Sequence, residues 1–212
     1  MAKKIIANES SSTAVSLKIL EKARQLFNTM GIRNTTMDDL AKALGISKKT
    51  LYKEFANKSE LVYFFVKSDL SALEDKIKTI STNCEDAIEE LLQIAVLTSS
   101  NLQLYHPYIL RDISKFYPET LALIEAHKQN FGYQSTLHNL RKGINQGLYR
   151  KDLNLELATS IRLHLSLLPF ELNNRELNTN TIYKEILAYN LHAICTEKGI
   201  VNYQKLLKKI TL

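Results

Sequence analysis

Thr36–Phe55, with the sequence TMDDLAKALGISKKTLYKEF, is the stretch that decides the fold of the N-terminal part of the chain. Thr36 is placed to cap a short helix, with Asp39 as its partner at the third helical position. Gly45 permits a sharp turn, and Ser47 caps a second short helix that runs to about Phe55. Two helices joined by such a turn predict a helix-turn-helix, a motif whose second helix enters the major groove of DNA.

The second helix carries cations where helix electrostatics disfavours them. Lys48 and Lys49 occupy its first turn, where the positive end of the helix dipole makes each cation unfavourable by about 0.3 to 1 kcal/mol. On a helical wheel, the face opposite the apolar side holds Lys49, Thr50 and Lys53. A duplex presents phosphates and base-edge acceptors to such a face, so the pattern predicts DNA binding. The alternative is a solvated lysine face on a purely structural hairpin.

The distribution of charge supports a polyanionic partner for this end of the chain. The 212 residues carry a formal net charge of +6, with 24% charged and 45% hydrophobic residues. Eleven basic and six acidic residues lie before Lys67, so +5 of the +6 belongs to the N-terminal third. The remainder is close to neutral, which indicates that only the N-terminal part meets a polyanion.

Outward from the motif, the spacing of apolar residues predicts helices throughout. A first helix spans about Val15–Met30, and Asn57 with Glu60 opens a long fourth helix that reaches about Ile80. Only six glycines and three prolines interrupt the chain, which favours long helices. The later predicted helices are Asp86–Leu102, Pro107–Lys115, Pro118–Asn145, Leu155–Leu172, Thr181–Glu197 and Tyr203–Ile210.

These elements predict an all-α protein with two domains. Residues 1–60 form a three-helix, helix-turn-helix DNA-binding domain, with residues 1–11 as a disordered tail. Residues 61–212 form a larger helical domain, and the fourth helix belongs to both parts. No apolar run approaches the roughly 20 residues that span a bilayer, and the start lacks a signal-type apolar core. We therefore expect a cytoplasmic protein with no membrane contact.

Other chemistry finds little support in the sequence. The five histidines form no HExxH motif or one-turn pair, and Cys84 and Cys195 belong to no CxxC pattern. Motifs of the types GxSxG, GxGxxG and P-loop are absent. We expect no metal, no cofactor and no enzymatic activity, although a metal site assembled from distant residues stays open.

A resemblance adds to this interpretation. It is carried by the stretch ILEKARQLFNTMGIRNTTMDDLAKALGISKKTLYKEFANKSELVYFF, which resembles the DNA-binding domain of the TetR family of bacterial transcriptional regulators. The match covers about residues 16–66 and keeps several spaced features in order: the Gly-Ile turn, Thr-Thr, Leu-Gly-Ile-Ser, Thr-Leu-Tyr and Asn-Lys-Ser-Glu-Leu. The rest of the chain is similar only in length and helical character.

The resemblance implies DNA contacts from eight residues of the motif. Thr36 caps the first motif helix against a phosphate, and Lys58, at the start of the next helix, meets another. Tyr52 offers its hydroxyl to the DNA backbone, and its ring can pack at the same time against apolar neighbours. Ser47 and Lys48 open the recognition helix, and the candidates for base edges are Lys49, Thr50 and Lys53.

Glu54 departs from the common pattern of the family, in which an aromatic residue or histidine is frequent at this position. A carboxylate there either repels phosphate or accepts a hydrogen bond from a cytosine amino group. The sequence leaves both interpretations open.

The resemblance also implies an apolar cavity for a small molecule among the middle helices. Candidate ligand-binding residues are the polar and aromatic side chains Tyr108, Arg111, Tyr133 and His164. The alternative is that each of them is an ordinary core or interface residue.

The last two long helices carry more apolar surface than one domain core needs, which predicts a dimer interface built as a four-helix bundle. The alternative is ordinary packing within a monomer. The predicted interface residues are Leu155, Ala158, Ile161 and Leu165 on one helix and Ile182, Ile186, Tyr189 and Ala193 on the other.

Together these features predict a repressor that binds a pseudo-palindromic operator as a homodimer and is released by a small apolar ligand. A two-fold dimer places its recognition helices in successive major grooves about 34 to 36 Å apart. The alternative is a helical DNA-binding or interaction protein without small-molecule control.

Overall fold

A computed structural model describes residues 14–104, 109–166, 168 and 179–209. In this part of the chain the regular structure is helical, with one isolated antiparallel bridge between Tyr149 and Cys195 and no strand. The predicted all-α fold is confirmed. None of the described helices is both long and apolar enough to cross a bilayer. The predicted tail, residues 1–11, and the ligand candidate Tyr108 lie outside the described residues.

The described helices are named here in chain order. A π-helical turn, Lys128–Gly132, joins α7 to α8, so the long helix predicted for this region is present with one wider turn inside it. The bounds are α1 Ala14–Met30, α2 Met37–Leu44, α3 Lys48–Glu54, α4 Lys58–Asn83, α5 Ala87–Leu104, α6 Ile109–Phe116, α7 Pro118–His127, α8 Tyr133–Asn145, α9 Leu155–Leu165, α10 Thr179–Ile194 and α11 Glu197–Leu207.

The predicted caps of the helix-turn-helix are confirmed. The hydroxyl oxygen of Thr36 accepts a hydrogen bond from the Asp39 backbone N–H at 3.0 Å, and the Asp39 carboxylate accepts one from the Thr36 backbone N–H at 2.9 Å. Gly45 ends α2 in the left-handed region with φ of 66°. Ser47 then caps α3, accepting from the Thr50 N–H at 3.1 Å.

The predicted bounds of the last two helices were wrong. Instead of one helix to Glu197 and another from Tyr203, α10 ends at Ile194 and α11 begins at Glu197. The break arises because Thr196 leaves the helical path: its backbone N–H donates to the Leu148 carbonyl at 2.9 Å, and its hydroxyl caps α11. The contact with Leu148 has no local signal in the sequence, since Leu148 lies 48 residues away.

The chain divides into two compact units, Met1–Ser71 with Leu104–Ile124 and Ala72–Gln103 with Glu125–Leu212. This division falls later than the one predicted after residue 60 and assigns α6 to the first unit. The reason is burial, because Leu61 and Phe65 of α4 share one apolar cluster with Ile109 and Ile113 of α6. Helix α4 contributes its first half to one unit and its second half to the other.

The first unit has a core that holds the helix-turn-helix in place. The rings of Phe27 and Phe65 meet edge to face with centroids 5.4 Å apart. Leu40 of α2 and Leu51 of α3 are fully buried in the same cluster. Burial of one such leucine contributes roughly 1.5 to 3 kcal/mol, so the motif is anchored by packing as well as by its caps.

The second unit has its own apolar core and a buried ion pair. Leu92, Leu140 and Leu191 are fully buried in this cluster. The Lys142 ammonium donates to the carboxylate of the fully buried Glu90 at 2.8 Å. Removal of either partner would leave a buried charge uncompensated, which is the costly way to break such a pair.

Candidate nucleic-acid interface

Helix α3 presents a polar, exposed face opposite its buried side. Lys49, Thr50 and Lys53 are exposed, whereas Leu51 is fully buried against the core of the first unit. Tyr52 is 47% exposed, which leaves its hydroxyl free to reach a partner outside the protein. The predicted orientation of the recognition helix is therefore the one that the structure has.

Two of the hydroxyls at the start of α3 interact with each other. The side-chain oxygens of Ser47 and Thr50 lie 2.9 Å apart, and Ser47 also caps the helix through the Thr50 N–H. A hydroxyl that already shares one proton retains lone pairs for a further hydrogen bond. Thr50 is thus held in one orientation on the exposed face.

Lys48 has a partner inside the protein that the sequence did not reveal. Its ammonium donates to the Asp38 carboxylate at 2.5 Å, and this hydrogen bond raises the pKa of Lys48. Asp38 lies in the first turn of α2, ten residues earlier. The contact offsets part of the dipole penalty on Lys48, and it links the two helices of the motif.

Lys49 and Lys53 differ from Lys48, whose ammonium forms an ion pair with Asp38. Among the described residues, neither forms an ion pair with a carboxylate of the protein. Both ammonium groups are exposed on the same face of α3. These two cations are the donors of the motif that stay available to an external anion or base edge.

Glu54 interacts with the first helix. The Ser16 hydroxyl donates to the Glu54 carboxylate at 2.6 Å, and Glu54 is half-buried. The contact ties the C-terminal end of α3 to α1 across 38 residues of sequence. The sequence analysis considered only contacts of Glu54 with DNA. It did not predict the contact with Ser16, because no local pattern in the motif indicates a partner 38 residues upstream.

Thr36 and Asp39 form a reciprocal capping box at the start of α2. The Thr36 hydroxyl also donates to the Asp39 carboxylate at 2.6 Å, and this hydrogen bond is the main reason that the pKa of Asp39 is lowered. The exposed Thr36 side chain stands at a helix N-terminus, where backbone N–H groups and the dipole favour an anion. This placement is compatible with the phosphate contact that the resemblance implies.

Lys58 begins α4 beside the turn that precedes α2. Its ammonium donates to the Arg33 carbonyl oxygen at 3.3 Å. Partial burial lowers the pKa of Lys58, and the neighbouring carboxylates of Asp112 and Asp39 act in the opposite direction. Arg33 and Asp112 were not among the predicted site residues. They are joined by a hydrogen bond from the Arg33 backbone N–H to the Asp112 carboxylate, across 79 residues of sequence.

The described ligand candidates come from both units of the chain. Arg111 is exposed and belongs to the first unit, where it lines a cleft of about 240 Å³. Tyr133 belongs to the second unit and lines an open cleft of about 450 Å³ with Leu157 and Ser160. His164 is exposed, with its Nδ1 atom 2.7 Å from the Ser160 carbonyl oxygen.

The predicted interface residues fall into three classes of exposure. Tyr189 is 74% exposed and Ile161 48%, and Ala193 is exposed as well. Ile182 is only 6% exposed, so its side chain packs within its own chain. Leu157, at 58%, is a further exposed apolar residue of α9 that the prediction missed. The half-buried members are Leu155, Ala158, Leu165 and Ile186.

The two cysteines are buried thiols. Burial raises the pKa of both Cys84 and Cys195 to about 11, which keeps each protonated near neutral pH. A protonated thiol is a poor nucleophile and a poor metal ligand. In the part of the chain that the structure describes, no cluster of three or more His, Cys, Asp or Glu residues is arranged to hold a metal ion.

Comparison with known proteins agrees with the geometry of the motif. A sequence model of the family described as bacterial regulatory proteins, tetR family, matches residues 19–63, which include α2 and α3. The HTH-type transcriptional regulator SAR2658 of Staphylococcus aureus strain MRSA252 is 31% identical over 96 residues. That alignment covers 45% of this chain and 51% of the relative, so it spans about half the length of the curated protein.

Solved structures share the fold over most of this chain, beyond the matched motif. A transcriptional regulator from Cytophaga hutchinsonii has a TM-score of 0.72 at 21% identity, covering 87% of this chain and 100% of the other. A putative transcriptional regulator from Saccharomonospora viridis, in complex with choline, has a TM-score of 0.72 at 19% identity, covering 84% and 96%. These likenesses show the all-α architecture, with an N-terminal helix-turn-helix and a larger C-terminal part. The likeness to the tetR family is carried by residues 19–63, which hold the helix-turn-helix with its caps and its exposed lysine face.

Proposed function

We propose that the protein is a cytoplasmic, non-enzymatic transcriptional repressor that binds a pseudo-palindromic operator as a homodimer and is released by a small apolar ligand. The observation that carries the proposal is the exposed face of α3. Lys49 and Lys53 flank Thr50 there without a carboxylate partner among the described residues, and Leu51 anchors the opposite side. A rigidly seated helix with free donors is what base-edge recognition in the major groove requires.

The remaining motif residues support the positioning of this helix on the duplex. Thr36 and Lys58 stand at the starts of α2 and α4, where helix N-termini favour phosphate. Contacts of this kind fix the register of the protein on the duplex without reading its sequence. Tyr52 adds an exposed hydroxyl for the DNA backbone.

Dimerisation of this protein is supported by exposed apolar side chains on the two long helices of the second unit. Leu157 and Ile161 follow one another by one turn on α9, and Tyr189 stands exposed on α10. Large apolar side chains grouped on a surface mark an interface. A two-fold pairing through these helices gives the protein the symmetry of a pseudo-palindromic operator.

Release by a ligand rests on the second unit and on α4. Tyr133 and His164 are the described ligand candidates in the second unit, and Arg111 is the described candidate in the first. One structural relative binds choline, which supports a small-molecule role for the fold. Because α4 contributes to both units, it is the natural lever between them. A ligand shifts the operator-binding conformer only by its differential affinity for the two conformers.

Footprinting on the DNA that flanks the protein's own gene tests the proposal. We expect one protected region with two half-sites centred about 10 to 10.5 base pairs, or a multiple, apart. The double variant Lys49→Ala, Lys53→Ala should lose the footprint, and Lys151→Ala with Lys184→Ala, two exposed lysines of the second unit, should retain it. Protection that survives the first double variant, or equal binding to every sequence, would contradict the assignment.

Thermal unfolding in the presence of apolar small molecules separates ligand control from its alternative. A ligand that binds the folded protein at a hundred times its dissociation constant raises the free energy of unfolding by about 2.7 kcal/mol. The same ligand should weaken the footprint. A stabilising ligand that leaves operator binding unchanged would contradict release and favour a DNA-binding protein without small-molecule control.

A further inference from the structure

A basic cleft lies on the first unit, outside the helix-turn-helix. It has a volume of about 240 Å³ and is formed by the turn after α1 and by α6. Arg33 comes from the turn, and Arg111 and Lys115 come from α6. All three are exposed, so the cleft gathers cations from two segments that are remote from one another in sequence.

Asp112 is the one carboxylate among the residues that line the cleft, and it accepts a backbone hydrogen bond within the protein. Asp112 is only 9% exposed, and its carboxylate accepts a hydrogen bond from the Arg33 backbone N–H at 3.0 Å. Within the described ranges, no carboxylate forms an ion pair with the side chains of Arg33, Arg111 or Lys115. The cleft therefore keeps a surplus of positive charge toward solvent.

Two of these cations contact the same aromatic ring. The Arg33 guanidinium carbon lies 5.6 Å from the centroid of the Phe116 ring, and the Lys115 ammonium lies 5.8 Å from it. Phe116 is itself 46% exposed. Each contact is attractive, and together they place both cations against one exposed ring of the cleft wall.

The cleft adjoins the phosphate-binding end of the motif. The Lys58 ammonium donates to the carbonyl of Arg33, and Thr36 follows three residues after Arg33. Lys58 and Thr36 are the two residues expected to meet phosphates. A DNA backbone that contacts both would approach the residue that opens the cleft, and duplex DNA carries one negative charge per about 1.7 Å of its axis.

We propose that Arg33, Arg111 and Lys115 form a second DNA-binding surface, which holds backbone phosphates of the duplex that flanks the bases read by α3. This inference rests on the proposed function and extends it to α6, which lies outside the matched motif. Because the contacts are to phosphate, they strengthen binding and steepen its salt dependence without reading sequence.

Operator duplexes of two lengths test the surface. The short duplex holds only the two half-sites found by footprinting, and the long one adds roughly one helical turn, about 10 base pairs, of unrelated sequence at each end. Wild-type protein should bind the long duplex more tightly, and the triple variant Arg33→Ala, Arg111→Ala, Lys115→Ala should lose that gain. On the long duplex, the slope of log K against log salt should fall by about 2 to 3 per protomer in the variant, which is about 5 for the dimer.

A charge-matched control separates the cleft from net charge. The variant Lys151→Ala, Lys184→Ala, Lys205→Ala removes three exposed lysines of the second unit and should bind both duplexes as wild type does. Equal losses for the two triple variants on the long duplex would overturn the proposal. If the cleft variant does not fold, the single variants Arg111→Gln and Lys115→Gln should each lower the slope by about one per protomer, which is about two for the dimer.

The remaining outcomes are distinct from one another. If inorganic phosphate stabilises the wild type but not the cleft variant against thermal unfolding, and flanking DNA adds no affinity, the cleft is a small-anion site and the proposal is overturned. If the short duplex is bound specifically and length has no effect, the cleft proposal fails and the proposed function stands. If the wild type binds no duplex specifically, the proposed function itself fails.

Discussion

Lys48 and Lys49 are adjacent lysines that differ in their contacts within the protein. The ammonium of Lys48 is held by the Asp38 carboxylate of α2, whereas that of Lys49 is exposed and, in the described part of the chain, has no ion-pair partner. The charge near the positive end of the helix is therefore compensated inside the protein for Lys48, and for Lys49 we propose that DNA compensates it. This difference makes Lys49 the sharper probe of base reading.

Replacement of Lys49 by alanine should weaken operator binding by about 1 to 3 kcal/mol and change the base preferred at one position of each half-site. The reason is the loss of a donor to a base edge, with the fold unchanged because the side chain is exposed. Titration of a set of operators, each with one substituted base pair, measures both effects.

Lys58→Ala is the matched comparison. A phosphate contact carries no sequence information, so this variant should weaken specific and random DNA alike and reduce the salt slope by about one. Similar losses on specific and random DNA for both variants would contradict the division of roles between Lys49 and Lys58.

At the scale of elements, the turn between α2 and α3 depends on one backbone conformation. Gly45 has φ of 66°, and open space surrounds the position that a Cβ atom would take. The cost of a side chain there is therefore conformational alone, about 1 to 2 kcal/mol for an L-residue in the left-handed region. Gly199 is the opposite case, since a Cβ atom there would collide with the Leu148 carbonyl oxygen.

Gly45→Ala should lower the free energy of unfolding by about 1 to 2 kcal/mol, and Gly45→Asn by less, because asparagine tolerates this conformation. Gly199→Ala should cost more than Gly45→Ala, since its clash is with backbone that cannot rotate away. Urea denaturation of the three variants gives the order. A larger loss for Gly45→Ala than for Gly199→Ala would show that the turn is constrained by something other than its φ angle.

The π-helical turn after α7 places a histidine where its charge is disfavoured. His127 is half-buried, and burial lowers its pKa from the ordinary 6.5, with the Glu74 carboxylate, 3.2 Å from its Nε2, acting in the opposite direction. As the pH falls below about 6.5, the unfolded chain takes up a proton before the folded chain does. The free energy of unfolding should therefore decrease on acidification through this range.

The variant His127→Gln should flatten that decrease, and His138→Gln, which replaces an exposed histidine of α8, should leave it unchanged. Unfolding by urea at a series of pH values between neutral and mildly acidic conditions provides the measurement. A steeper acid-side decline in His127→Gln would mean that the charged imidazole stabilises the fold through Glu74.

At the scale of the whole molecule, the proposed recognition of an operator depends on the assembly of two chains. One recognition helix reads a single half-site, so affinity for the full operator comes from two helices held at a fixed separation. The exposed apolar side chains of α9 and α10 are the described features that would provide this assembly.

Ile161→Asp and Tyr189→Asp should each shift the protein toward monomer, because both place a charge on a surface that we propose to be buried in the dimer. Operator affinity should fall at least about tenfold, and half-site affinity should stay the same. Val201→Asp, a change at a 52% exposed apolar residue of α11, is the control and should leave the dimer intact. Sedimentation equilibrium reports the mass, and a variant that remains dimeric would place the interface elsewhere.

Local patterns in the sequence determined the helix-turn-helix, the caps at Thr36 and Ser47, and the lysine face of α3, because partners in these features lie within four residues of one another. Only the tertiary structure decided that Glu54 binds Ser16 and that Asp112 of α6 holds the turn at Arg33, across 38 and 79 residues. Tertiary packing also places α6 in the first unit. There Arg111, a predicted ligand residue, lines a basic cleft. Contacts between distant segments leave no periodic trace in the sequence, since any polar residue at a helix surface satisfies the local pattern equally well and only the folded chain selects which two will meet.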